Sequence, residues 1–334
     1  MPGLMELLNE RSWLLADGAT GTNYFDRGLL SGDPPEMWNI DHPERVAALH
    51  TEFIEAGADI ILTNTFGCNR RRLMLHKLHE RTGELNRAAV AIARGTAETA
   101  ARPVVVAGSV GPTGDLMVPL GELEYDQAVE VFREQMAALA EAGADVIWIE
   151  TMSAPEEIRA AVEAATGLGL AYVYTASFDT AGRTMMGLEP KALAEVVDAV
   201  PEAPLAIGAN CGVGASDLLV SVLAMTEARA EQVIIAKANC GIPEIQGDQV
   251  VYTGTPSLMS RFACLAIDAG VRIVGGCCGT TADHLAAMRS ALETHTPGPR
   301  PTREQIVAEI GPLAAPPVEG SAGGGRRRSR RARG

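Results

Sequence analysis

Short apolar runs recur along the chain, each broken off by glycine or a small polar residue. They are LLADG (14–18), DIILTN (59–64), VVVAGSVG (104–111), DVIWIET (145–151), AYVYTASF (171–178), PLAIGANC (204–211), VIIAKANCG (233–241) and IVGGCCG (273–279). Runs of this length without polar alternation predict strands covered on both faces. Between them the apolar positions change to a helical period. ERVAALHTEFIEAGA (44–58) lines up Val46, Leu49, Phe53 and Ile54, and YDQAVEVFREQMAALAEAGA (125–144) lines up Val129, Phe132, Met136 and Leu139. Helix starts such as SAPEEI (153–158) and glycine stops such as EAGAD (55–59 and 141–145) punctuate the pattern. Strand–helix units repeated in this way predict a (β/α)₈ TIM barrel of the α/β class.

An open doubly wound sheet is the alternative. It usually stops at fewer strands and carries a glycine-rich nucleotide loop after its first strand. DGATGT (17–22) lacks the GxGxxG spacing and runs on into TNYFDRGLLSGDPP rather than directly into a helix. The barrel is therefore preferred, as a single domain over 1–312. Residues 313–334, rich in proline, glycine and arginine, are expected to be a disordered tail.

Composition narrows the partners. The net charge is −14, and the closing RRRSRRARG contributes six arginines, so the body is more acidic still. Such a body argues against a nucleic-acid surface. No apolar stretch is long enough to span a membrane, and the first residues lack the features of a signal peptide, so the expected location is cytoplasmic. The expected partners are small molecules, and a homo-oligomer is compatible with the chain.

In a barrel of this kind the active site forms at the carboxyl ends of the strands. Polar residues gather there in nearly every unit: Asp17, Asn64, Ser109, Glu150, Asn210 with Cys211, Asn239 with Cys240, and the adjacent Cys277 and Cys278. Cys211 ends the sixth apolar run and Cys277–Cys278 ends the eighth, each beside glycines. Three thiols and one open position match a catalytic zinc site, whereas a structural site closes all four positions. Buried unreactive thiols and a vicinal disulfide are the competing readings. Cys264 falls in a helical stripe, Cys68 and Cys240 are assigned no metal, and His284 is read as a surface or capping residue. A thiolate-rich zinc site favours sulfur as its fourth ligand and deprotonates it, providing a nucleophile without a general base.

The stretches DGATGT, TNTFG (63–67), GSVGPTG (108–114), WIET (148–151), GANCG (208–212) and GGCCGTT (275–281) together resemble the homocysteine S-methyltransferase family. The resemblance runs in family order over residues 11–296. It implies that Cys211, Cys277 and Cys278 hold Zn²⁺ and that homocysteine sulfur completes the tetrahedron. It further implies that Asp17 and Glu150 secure the amino acid. The turn containing Gly18 and Thr20, together with Asn64, is expected to complete the substrate contacts.

The implied reaction is methyl transfer to homocysteine, giving methionine. Glycine betaine is the first choice of donor. An onium donor asks for an aromatic cage, and Trp38 in PPEMWN is the leading candidate among Tyr24, Phe25, Phe66 and Trp148. The alternative is the homocysteine-activating subunit of a split cobalamin-dependent methionine synthase, since Gly67 stands where the animal betaine enzymes carry tyrosine. The methyl group would then come from a separate methyl-corrinoid protein. S-methylmethionine and dimethylsulfonium compounds are further donors to test. A non-catalytic zinc or corrinoid-partner binder is the reading from another class.

Overall fold

A computed structural model describes residues 3–246 and 249–314. Eight parallel strands form one sheet: β1 (Leu14–Leu15), β2 (Ile60–Leu62), β3 (Val105–Val110), β4 (Val146–Met152), β5 (Tyr172–Ala176), β6 (Ala206–Cys211), β7 (Ile234–Ala238) and β10 (Ile273–Gly276). Their order is β1-β10-β7-β6-β5-β4-β3-β2, and a parallel bridge between Ala16 and Ile60 joins the two ends. Every predicted apolar run supplies one strand of this (β/α)₈ barrel. The residues assigned to a disordered tail lie, from 315 onward, outside the described ones. Among the described residues, no helix is long and apolar enough to cross a membrane.

Two features were not foreseen. A hairpin of β8 (Pro243–Gln246) and β9 (Gln249–Tyr252) follows β7. Between β5 and β6 the helical position is taken by a 3₁₀ run, Pro190–Val197, where the other units carry α-helices.

The strands alternate between two cores. Ile60 and Leu62, Val105 and Ala107, Val146 and Trp148, and Ile235 and Ile273 belong to a cluster inside the barrel. Their neighbours Ile61, Val106, Ile147, Ile149, Ile234 and Val274 pack outward beneath the helices. The helix Leu4–Glu10 contributes Leu4, Leu7 and Leu8 to the inner cluster. Period-two alternation then puts the next inward positions one layer higher, at Ser109, Glu150, Lys237 and Gly275. The apolar interior therefore turns polar at one end, and that layer is the floor of the site.

The amino-terminal end of the sheet is tied by one buried carboxylate. Asp59, fully buried, meets Arg11 at 2.6 Å, Arg102 at 3.2 Å and Arg289 at 3.2 Å, and its Oδ2 accepts from Leu15 N at 2.9 Å. It joins the segment before β1, the start of β2 and the helix Ala282–Thr294. Removing one partner of a buried charge network costs about 3–5 kcal/mol. Because the arginines are partly hydrated, the lower end applies. Asp59→Ala is expected to lose about 3 kcal/mol of stability with metal content unchanged. Denaturant melts with a parallel zinc assay check this, and an unaltered midpoint would contradict it.

Candidate active site

At the carboxyl end of the strands lies a cavity of about 290 Å³, a size suited to a small molecule. It is lined by Cys211, Cys277 and Cys278 together with Asp17, Glu150 and Lys237. The three sulfurs all lie within 4.8 Å of one another. Tetrahedral coordination at a Zn–S distance of 2.3 Å asks for sulfur separations of about 3.8 Å, so a small inward movement of side chains suffices. Among the described residues, no other His, Cys, Asp or Glu group meets the same test.

The backbone makes this convergence possible in two ways. Cys211 has φ 61° and Gly212 φ 74°. This ends the alternation of β6, in which the residues before Cys211 follow the sheet. Gly279, with φ 79°, turns the chain after the Cys277–Cys278 pair. Gly275 and Gly276 serve differently. Neither is left-handed, but a Cβ on Gly276 would stand 2.2 Å from Thr280 Cγ2, and one on Gly275 would stand 3.0 Å from Ala16 Cβ. These two glycines admit close neighbours and do not form the turn.

Asn239 staples the two cysteine loops together. Its Nδ2 donates to Gly212 O at 2.6 Å, and its Oδ1 accepts from Cys278 N at 3.1 Å. Asn210 braces the neighbouring rim: its Oδ1 accepts from Thr151 N at 2.8 Å and Thr175 Oγ1 at 2.6 Å. Thr151, φ 61°, lies in the register shift between Ile149 and Met152, after which β4 pairs with β5 again at Met152 and Ala176.

The thiols hold their protons tightly. Hydrogen bonding to Cys277, then burial, raises Cys211 well above the ordinary thiol range. Cys278 is pushed up to about 12, first by hydrogen bonding to Cys211 and then by burial. Burial and mutual hydrogen bonding disfavour the thiolates. A divalent ion bound there would supply the missing positive charge, since coordinating thiols are deprotonated. Donor type, spacing and charge all fit a thiophilic metal.

Elsewhere in the lining, Lys237 Nζ donates to Asp17 Oδ1 at 2.6 Å, and Leu62 N donates to Asp17 Oδ2 at 2.7 Å. Ser109 Oγ donates to Glu150 Oε1 at 2.5 Å. Burial raises the Glu150 pKa, an effect that Lys237 and the Ser109 hydroxyl partly oppose. Lys237 was not anticipated. It stands inside the apolar run VIIAKANCG, and its inward parity with Ile235 was the available signal.

Gly18 and Thr20 line the cavity; a Cβ on Gly18 would come within 2.7 Å of Thr280 O. Asn64 also lines it, but its amide is committed elsewhere, with Nδ2 donating to Pro35 O at 2.8 Å and to Asn39 Oδ1 at 3.1 Å. Trp38 is the correction. It lies outside the cavity lining, packed 5.0 Å from Tyr24 and 5.3 Å from His42 between ring centroids, with the Arg45 guanidinium over it. Its ring fills the space beneath the loop after β1 because burial there outweighs exposure at the rim. Phe66 is the aromatic residue among those lining the cavity. Cys68, Cys240 and Cys264 are buried away from the thiol cluster. His284 caps its helix: Nδ1 lies 2.8 Å from Thr281 Oγ1.

Fold and site together define a (β/α)₈ barrel with a three-thiol centre facing a charged amino-acid-sized pocket. The chain belongs to the homocysteine S-methyltransferase family, whose profile matches residues 14–292. It is 29% identical over 320 residues to methionine synthase of Mycobacterium leprae, covering 91% of this chain and 26% of that protein. It is likewise 29% identical over 305 residues to methionine synthase of Mycobacterium tuberculosis, covering 86% and 25%. The chain thus spans about a quarter of the length of these curated relatives. In fold it resembles the metallated form of the homocysteine methyltransferase MmuM from Escherichia coli, with TM-score 0.73 and 22% identity over 85% of this chain and 98% of that one. The oxidized form of MmuM gives 0.71 and 22%, over 87% and 99%.

Proposed function

We propose that this protein is a zinc-dependent homocysteine S-methyltransferase that produces methionine. The observation that carries the reading is the meeting of the Cys211, Cys277 and Cys278 sulfurs within 4.8 Å of one another in the lining of the cavity. Zinc held there would supply a Lewis acid that lowers the pKa of the substrate thiol. The other residues bind and orient. Asp17 and Glu150 give the lining negative charge suited to an α-ammonium group. Gly18 and Thr20 border the same space and favour close approach by the rest of the amino acid. The sulfur displaces the donor's leaving group at the methyl carbon, so one C–S bond forms as the donor–methyl bond breaks. Positioning supplies much of the rate.

Glycine betaine is the first small-molecule donor to consider. Its quaternary ammonium prefers an aromatic cage, and Phe66 alone offers an aromatic wall in the lining. A second reading draws support from the rim. Phe66, Leu116, Val118, Leu120 and Met185, on loops after β2, β3 and β5, are exposed apolar side chains. Such a rim suits a protein that presents the methyl group, and the much longer methionine synthase relatives fit this reading.

The test is methionine formation by zinc-loaded protein with homocysteine and one donor at a time. Turnover with betaine supports the first reading. Turnover confined to a methylcobalamin protein supports the second. No methionine with betaine, S-methylmethionine, a dimethylsulfonium compound or methylcobalamin protein would leave a binder and end the enzymatic reading.

A further inference from the structure

Besides the thiols, the cavity lining carries two carboxylates and one ammonium, and they are not arranged symmetrically. Lys237 and Asp17 are both almost fully buried and in direct contact. Both Asp17 oxygens have protein donors, Lys237 Nζ at 2.6 Å and Leu62 N at 2.7 Å. Lys237 is held from beneath as well, its Nζ lying 5.6 Å from the centroid of the buried Trp148 ring, within cation–π reach.

The path of the lysine is built into the sheet. Lys237 pairs in register with Gly275 of β10, and β10 lies between β7 and β1. The side chain must therefore cross Gly275 to reach Asp17. A Cβ there would stand 3.1 Å from Lys237 Cγ, tighter than ordinary packing. Glu150 differs: among the described residues its carboxylate has one hydrogen-bond partner, the Ser109 hydroxyl on Oε1. Lys237 is the only cationic side chain among the lining residues; its charge favours the Glu150 carboxylate, but its direct contact is with Asp17, so among the described residues Glu150 has no cation in direct contact.

We propose that Lys237 is a specificity-determining positioning residue: by pairing with Asp17 it reserves Glu150 as the acceptor of the substrate's α-ammonium group. This deepens the proposed homocysteine reading and rests on it. An incoming amino acid would bring the wall to two negative and two positive charges. A thiol without an amine would leave Glu150 buried and unpaired, which is costly. Asp17 thus acts through Lys237, and the division of labour departs from the equal roles expected from the family resemblance.

The test compares homocysteine with 4-mercaptobutyrate, the same chain without the amine, by calorimetric titration of zinc-loaded protein. Wild type is expected to prefer homocysteine, and Glu150→Gln to lose that preference. Lys237→Met should weaken homocysteine binding by about tenfold or more, because it strands Asp17. Adding Asp17→Asn replaces the ion pair with a neutral one, and the double variant should recover the amine preference to within about threefold of wild type. Loss of preference in a folded double variant would overturn the proposal.

Should that variant fail to fold, the wild type decides. With ¹³C-carboxyl-labelled Asp and Glu, homocysteine should shift the Glu150 resonance and leave that of Asp17 in place, and the reverse would overturn the proposal. Absence of any homocysteine binding by wild type would instead refute the underlying functional reading.

Discussion

Replacing Cys211, Cys277 or Cys278 by serine, one at a time, is expected to cost both the metal and methyl transfer. Apparent binding energies of roughly 10–16 kcal/mol for four-ligand zinc sites imply about 3 kcal/mol per ligand, or a loss of about a hundredfold in affinity for each thiol removed. Serine keeps the shape but offers a harder, less acidic donor. The loss should therefore appear as zinc released to a chelator at concentrations that wild type withstands, with turnover falling in proportion. Cobalt substitution gives a second readout, since wild type should show thiolate-to-metal charge transfer that weakens in each variant. Cys264→Ala is the control. That thiol is buried in the helix Pro256–Asp268 and outside the cluster, so its loss should leave metal content alone. A serine variant at any of the three positions that keeps full zinc and full turnover would refute the centre.

The sequence revealed the barrel because the physics there is local. A strand covered on both faces must be apolar throughout, and glycine must punctuate the helix ends, so both signals survive without knowledge of neighbours. The cysteines were legible for a related reason: adjacent thiols between glycines have few other uses, and the strand ends of a barrel converge. Long-range pairing was harder to see. Lys237 meets Asp17 across 220 positions, and in an apolar run it passed unremarked until the alternation of β7 put it inside. The Asn239 staple depends on two loops whose relative height no spacing encodes. Trp38 misled because an aromatic residue in a loop after a first strand can face the mouth or the packing beneath, and composition does not distinguish them. Gly275 and Gly276 stand beside the thiols without a positive φ, and their neighbours show that they make room.

The residues that hold the fold and those that define the pocket lie at opposite ends of the same strands. Asp59 and its arginines secure the amino-terminal end with fully partnered charge. At the carboxyl end three thiols crowd within 4.8 Å of one another, and the Glu150 carboxylate has one hydrogen-bond partner among the described residues, the Ser109 hydroxyl. Incomplete satisfaction of buried polar groups is costly to stability, and such strain is characteristic of functional sites. The pocket is therefore the part of the molecule where substitution should strengthen the fold while removing its use.

Glu150→Gln puts that expectation to a direct test, with effects of opposite sign on binding and on stability. Burial raises the Glu150 pKa; Lys237 and Ser109 pull it down, and Asp17 pushes it further up. With the folded-state value above the unfolded one, the carboxyl favours folding at pH below its unfolded pKa. That contribution is lost as pH rises through the folded pKa. At neutral pH the ionised group therefore weighs against the native state. Glutamine keeps the shape and can still accept the Ser109 hydroxyl, so the variant should be more stable near pH 7, by about 0.5–2 kcal/mol, and the difference should vanish as pH falls and wild type takes up its proton. Homocysteine binding should move the other way. Losing a buried partner of the ammonium costs about 2–5 kcal/mol, or roughly thirtyfold to several thousandfold in KM. In wild type, kcat/KM should fall on the acidic side at a pH above the ordinary carboxylate range, and the variant should lack that limb. Denaturant melts from pH 4 to 8, set beside pH profiles of kcat/KM, separate the two effects. A variant that binds homocysteine like wild type, or is less stable at neutral pH, would show that Glu150 is a structural partner and that the ammonium is received elsewhere.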